Sequence, residues 1–155
     1  ASKIKGRKKW LDGLFSESVQ MVADGLDMGV TEVASSLETV LAEEDLNVAA
    51  GTVRKGTVAG QHWRWSGLAD GEEVVVHETV WRIHRDVAPD WPSGNNWIRL
   101  KGRPNIDFEI KSNFGFLDES GVSTAMHAMN AIPVVVDAEP GIRTFLDLPW
   151  IFPQK

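Results

Sequence analysis

Between residues 56 and 85 two runs of alternating side chains meet at an Asp-Gly pair. No other stretch of the 155-residue chain restricts the fold as tightly. Gly56–Ser66 and Glu72–Arg85 are rich in Val, Thr and Trp. Gly67-Leu68-Ala69-Asp70-Gly71 joins them, and Asp-Gly supplies the positive φ angles that a tight hairpin turn needs. The alternation sets Thr57, Ala59, Gln61, Trp63 and Trp65 on one side of the first strand. Val75, His77, Thr79, Trp81 and Ile83 share a side of the second. Both faces are mixed in polarity, which predicts a sheet covered by helices on one side and by another surface on the other.

The flanking segments supply those helices. Trp10, Leu11, Leu14, Phe15, Val19, Val22 and Leu26 recur at the helical period, which predicts an amphipathic helix ending between Gly25 and Gly29. Thr31–Ala42 alternates as a strand, Glu43-Glu44-Asp45 turns the chain, and Leu46–Val53 reads as a short irregular strand. Ala88–Asn96 is a loop punctuated by Pro89, Pro92 and Gly94, with Trp91 tucked against the body. Asn96–Lys101 and Pro104–Lys111 make a second hairpin around Gly102-Arg103. There Ile106, Phe108 and Ile110 face one way, and Asp107, Glu109 and Lys111 the other. Asp118, Glu119 and Ser120 are placed to cap a final helix. Ala125–Val136 is apolar nearly all round, which predicts a helix buried on most sides, and Pro133 should end or bend it.

The expected fold is α+β: an open, mostly antiparallel sheet of about five strands with two helices packed on one face. Residues 1–9 read as a flexible basic N-terminus and residues 10–155 as a single domain.

Composition excludes several function classes. There is no cysteine, hence no disulfide framework, thiolate nucleophile or zinc-thiolate site. A net charge of −6 disfavours nucleic acid as a partner. No run of eighteen apolar residues and no secretory leader are present, so a soluble, cytoplasmic protein without a membrane partner is expected.

Chemistry-bearing motifs are sparse. Gly51 and Gly56 have the spacing of a phosphate loop, but Thr57 stands where that loop requires lysine. His62, His77, His84 and His127 lack a second ligand at a convincing spacing, so no metal is expected. Asp107 and Glu109 share a strand face, but Arg99 and Lys111 are their neighbours, which favours a solvated edge over an acid-base pair. No Gly-x-Ser-x-Gly elbow exposes a serine. The concentration of indoles at Trp63, Trp65, Trp81 and Trp97 stands out as a core, a pocket wall or a subunit interface. Thr124, His127 and Asn130 lie three apart along one side of the last helix, as cleft-facing residues or as an internal polar network.

Several segments resemble one enzyme family in order along the chain. They are Glu38-Thr39-Val40-Leu41-Ala42, Ala50-Gly51-Thr52-Val53 with Gly56-Thr57-Val58-Ala59-Gly60, and Ala88-Pro89-Asp90-Trp91-Pro92. Asn130-Ala131-Ile132-Pro133, Glu139-Pro140-Gly141 and Asp147-Leu148-Pro149 complete the set. From Trp10 to Pro149 the chain is similar to the C-terminal part of the 2,4-diaminopentanoate dehydrogenases and native amine dehydrogenases, relatives of dihydrodipicolinate reductase. The family's nucleotide-binding half has no counterpart among these residues, so the resemblance implies a fragment or a shortened relative.

Two functions of different class follow. The resemblance implies the substrate-binding and subunit-contact domain of an NAD(P)-dependent amine or imine dehydrogenase, with no catalytic or cofactor-binding residue of its own. Its substrate wall would be drawn from Trp63, Trp65, Thr124, His127 and Asn130, for a small apolar amine or ketone. It would assemble as a homo-oligomer through the sheet face. The alternative is a stand-alone α+β cone holding an apolar ligand, with isomerase- or lyase-type acid-base chemistry at Asp107, Glu109 or His127.

Overall fold

The computed structural model describes residues 2–84, 86–92, 96–111 and 120–153, in two compact units, Ala1–Ser93 and Gly94–Lys155.

The first unit runs α1 (Ser2–Gly25), β1 (Glu32–Leu41), β2 (Leu46–Val48), β3 (Gly51–Val53), β4 (Val58–Ala69) and β5 (Glu72–Arg82). Its helix begins at Ser2, ahead of the Trp10 start that the apolar period suggests. It closes in a Schellman-type cap: the Met28 N–H donates to the Ala23 carbonyl and Asp27 N–H to that of Asp24, with Asp27 left-handed at φ 52°.

β1, β4 and β5 form one antiparallel sheet with the long strand β4 in the middle. The expected turn is present: Asp70 and Gly71 take φ of 51° and 81° and join Ala69 directly to Glu72, a two-residue hairpin loop with both central residues left-handed. α1 covers one face, where Leu11 and Val19 meet Trp63 and Trp65, with Phe15, Val33, Leu37 and Val75 around them. Gly67 lets the helix come that close. A Cβ there would lie 3.0 Å from Val19 and 3.1 Å from Val30.

A smaller cluster of Ala42, Ala59 and Val87 holds the β2–β3 hairpin and the loop after β5. That loop carries Trp91 as expected, its ring so near Gly60 that a Cβ there would meet it at 3.1 Å. Arg82 ties the loop down, donating to the carbonyls of Val87 and Ala88.

The second unit contains β6 (Asn96–Leu100), β7 (Ile106–Ile110) and α2 (Ser120–Val136). β6 and β7 form an antiparallel hairpin. Across it Arg99 lies 4.0 Å from Asp107, and along β7 Lys111 lies 3.2 Å from Glu109, the solvated edge that the charge pattern suggests. Pro133 is accommodated within α2, which stops three residues later at Val136. Beyond it Asp147 accepts hydrogen bonds from both the N–H and the hydroxyl of Thr144, which hold its carboxyl below the usual range. Asp118 and Glu119, the expected capping residues, lie outside the described residues.

The α+β class holds, with strands paired antiparallel. They are divided among three sheets rather than joined in one of about five, because β2 and β3 close on each other and β6 and β7 belong to the other unit. The larger correction concerns α2. Its apolar circumference predicts burial on most sides, yet Val122, Met126, Met129, Ile132, Val135 and Val136 are all exposed. Among the α2 residues whose burial is described, only a stripe through Asn130, Ala131 and Val134 is half-buried. Apolar patterning marks residues that require cover without stating that this stretch of chain provides it.

Candidate functional site

The α1-facing side of the three-stranded sheet concentrates the aromatic residues of the first unit. Trp63 pairs in register with Leu37 and Thr79, Trp65 with Ser35 and His77, and Gln61 with Thr39 and Trp81, so all these side chains emerge on one face. The Trp63 and Trp65 rings stack at 5.3 Å and 4°. Phe15 of α1 rests over Trp65 at 4.5 Å, over His77 at 5.2 Å and beside Trp81 at 6.2 Å. The Trp63 indole N–H donates to Gln61 Oε1. Asp12 of α1 accepts from the Ser35 hydroxyl at 2.6 Å.

Three buried polar atoms of this face have no protein partner among the described residues: Trp65 Nε1, His77 Nε2 and Thr79 Oγ1. A buried donor or acceptor left unpaired costs about 1–3 kcal/mol. Burial also pushes the His77 imidazole below the ordinary histidine value, so it is neutral near pH 7 and its Nε2 either donates or accepts according to tautomer.

The opposite face is charged. Arg64 is held by Glu73 at 2.7 Å and by Glu78, and those carboxylates, Glu73 first, keep its guanidinium above its usual value. The Ser66 hydroxyl donates to Glu73. His62 stands between Glu38 at 4.0 Å and Glu78 at 3.9 Å, with the Trp91 ring 5.5 Å away. Trp63, Trp65 and Trp81 thus share the α1 side, and the opposite face carries the charged residues.

The residues singled out from sequence fall into two groups. Trp63 and Trp65 come together, but at 2% and 0% exposure they form the floor of the aromatic cluster, with Phe15, His77 and Trp81 nearer its rim. Thr124, His127 and Asn130 belong to the second unit. Thr124 and His127 are exposed on α2, Asn130 is half-buried, and the His127 ring packs against Phe145 at 5.3 Å. Sequence reasoning passed over the part that His77, Thr79 and Phe15 play. The signal was there in the alternation that aligns His77 and Thr79 with Trp81. What it lacked was the register that brings them beside Trp63 and Trp65.

Comparison with known proteins gives this geometry a context. A family model described as the 2,4-diaminopentanoate dehydrogenase C-terminal domain matches residues 12–153. An amine dehydrogenase from Streptomyces virginiae is 29% identical over 141 residues, covering 84% of this chain and 39% of the relative. The 2,4-diaminopentanoate dehydrogenase of Acetoanaerobium sticklandii is 26% identical over 136 residues, covering 87% of this chain and 37% of the relative. Among solved structures, the amine dehydrogenase from Mycobacterium smegmatis shares the fold, with a TM-score of 0.64 at 20% identity over 85% of this chain and 37% of that one. The chain thus spans under two-fifths of the length of these relatives. With a match that runs through both units, from the start of the sheet-covering helix to the tail beyond α2, the chain belongs to the 2,4-diaminopentanoate dehydrogenase C-terminal domain family.

Proposed function

We propose that this chain is the substrate-side and subunit-contact domain of an NAD(P)-dependent oxidoreductase acting on amines or imines. The observation that carries this reading is the family match over residues 12–153, together with curated relatives that are dehydrogenases more than twice as long. Hydride transfer requires a nicotinamide held against the substrate carbon, with its pyrophosphate bound by backbone N–H groups at a helix N-terminus after a Gly-rich turn. In this reading a nucleotide-binding half supplies those parts, and the residues here supply wall and support. On the first unit the wall is the rim of the aromatic cluster, Phe15, His77 and Trp81, with Trp63 and Trp65 beneath it. On the second, Thr124, His127 and Asn130 are the candidates.

The subunit contact falls to the apolar surface of the second unit, through the β6–β7 sheet and α2. The face of the main sheet opposite α1 is a poor candidate because Glu38, Arg64, Glu73 and Glu78 occupy it. A closed, symmetric contact would bury the exposed Ile98, Phe108 and Ile110. The acid-base alternative has less support: Asp107 and Glu109 are engaged by Arg99 and Lys111, and His127 lies on Phe145.

The test is nicotinamide fluorescence. Titrated with this chain alone, NADPH or NADH should show no saturable change. Titrated with the chain and a separately expressed nucleotide-binding half from an amine dehydrogenase, it should bind and support ketone-dependent oxidation in the presence of ammonium. Tight cofactor binding by the chain alone would overturn the reading.

A further inference from the structure

We propose that His62 is a proton-operated clasp on the charged face of the main sheet. Protonated, it ties β1 to β5 through Glu38 and Glu78 and holds the Trp91 ring against β4; neutral, it lets the loop that carries Trp91 loosen. That loop closes the first unit, and nothing in its response depends on the dehydrogenase reading.

His62 lies on the middle strand with a carboxylate on either side. Glu38 stands opposite it in register on β1, and Glu78 lies diagonally across on β5. Its Nδ1 is 4.0 Å from Glu38 Oε2 and its Nε2 is 3.9 Å from Glu78 Oε1, so each ring nitrogen faces an acceptor. A neutral imidazole carries one N–H, and whichever tautomer it adopts, the other nitrogen turns a lone pair toward a carboxylate. The buried Nε2 has no hydrogen-bond partner among the described residues. An imidazolium donates from both nitrogens, and the exposed side chains of Glu38 and Glu78 have the freedom to swing in and close both distances. Arg64 keeps a hold of its own when Glu78 turns, because Glu73 binds it at 2.7 Å.

The proton acts on the loop through Trp91. The indole ring lies 5.5 Å from that of His62, within the range at which a cation is attracted to an aromatic ring, and it sits in the space that Gly60 leaves open. The loop needs such fastening. Ala88 is left-handed at φ 46° and precedes a proline, a conformation that an L-residue does not hold without support. Arg82 supplies one support through the Val87 and Ala88 carbonyls, and the packing of Val87 on Ala42 and Ala59 supplies another. Trp91 is the third, shortly before the first unit ends at Ser93. The loop's own charges do not take its place: His84 is paired with Asp86 at 3.3 Å, and Asp90 is exposed. His77, on the other face of the sheet, acts in the opposite sense, because its lowered folded value makes the unit as a whole less stable on acidification. The readout therefore has to be local to the loop.

The chain has no cysteine, so the thiol of Val87→Cys reports on that one buried position, which lifting of the loop uncovers. Its rate of reaction with dithiodipyridine, divided at each pH by that of a model thiol, measures the open fraction of the loop. Between about pH 8 and 5.5, the span over which histidine takes up its proton, that ratio should fall about two- to fivefold, the factor an exposed cation–π contact contributes. His62→Gln in the same chain should abolish the fall. Glu38→Gln should move its midpoint to lower pH, since removal of a neighbouring anion favours the neutral ring. A ratio that does not fall, a fall that His62→Gln leaves intact, or a midpoint that Glu38→Gln does not move would each overturn the proposal. If Val87→Cys does not fold, NMR of the unsubstituted chain decides. The Trp91 indole N–H signal, identified by its absence from Trp91→Phe, should then move with the same midpoint as the His62 ring nitrogens. No movement, or a different midpoint, would overturn the proposal.

Discussion

In the first unit Trp63 and Trp65 lie at 2% and 0% exposure beneath α1, whereas Trp97, Ile98, Phe108 and Ile110 of the β6–β7 hairpin are 46–51% exposed. Both sets stand on neighbouring antiparallel strands with the same alternation, so strand propensity does not separate them. The covering helix does. α1 brings Leu11, Phe15 and Val19 onto three paired strands, enough to bury Trp63 and Trp65. A two-stranded hairpin is marginal by itself in water. The contrast separates a region with a core of its own from one whose apolar side chains are half exposed.

Substitutions can break that contrast, beginning where the effect should be greatest. Trp65→Ala removes the most buried large side chain, together with its contacts to Trp63, Phe15 and His77. It should cost about 3–5 kcal/mol, enough to unfold much of a marginally stable first unit, as read by urea denaturation.

A smaller effect should appear with pH. His77 has its folded value lowered by burial, so as pH falls the unfolded chain takes up the proton first. Its contribution is fully present above about 6.5 and is lost as pH drops from there through the lower folded value. Between about pH 7.5 and 5 the melting temperature of the wild type should fall more steeply than that of His77→Phe, which lacks the titrating group. Identical slopes would mean that His77 is as solvated as in the unfolded chain.

The smallest effect on stability should come from the second unit. Phe108→Ser replaces a side chain already half in water, and should lower the unfolding free energy by no more than about 0.5–1 kcal/mol while weakening self-association. A loss as large as that of Trp65→Ala would show that Phe108 belongs to a core.

Much of this architecture was legible because local chemistry sets it. Asp70-Gly71 specified the central hairpin, and the spacing of Leu11, Phe15 and Val19 specified a covering helix. Charge alternation at Asp107 and Glu109 anticipated the pairs with Arg99 and Lys111. The number of strands per sheet was not legible, since β2 and β3 are three residues long and nothing in so short a run says whether it joins a neighbour or folds back on its own partner. The fate of α2 was misread for a different reason. Met126, Met129, Ile132 and Val135 do signal a dry environment, but periodicity is silent on which molecule or segment supplies it. The cluster of Trp65, His77 and Thr79 depends on the register between β4 and β5, and a single-strand pattern does not contain that pairing.

Sedimentation velocity of the chain at tens of micromolar, in parallel with Phe108→Ser, tests most directly whether the apolar surface of the second unit is a subunit contact. A contact of standard size should hold the wild type as a dimer at that concentration and shift the variant toward monomer. A wild type that sediments as a monomer, or a dimer that Phe108→Ser leaves intact, would contradict the account.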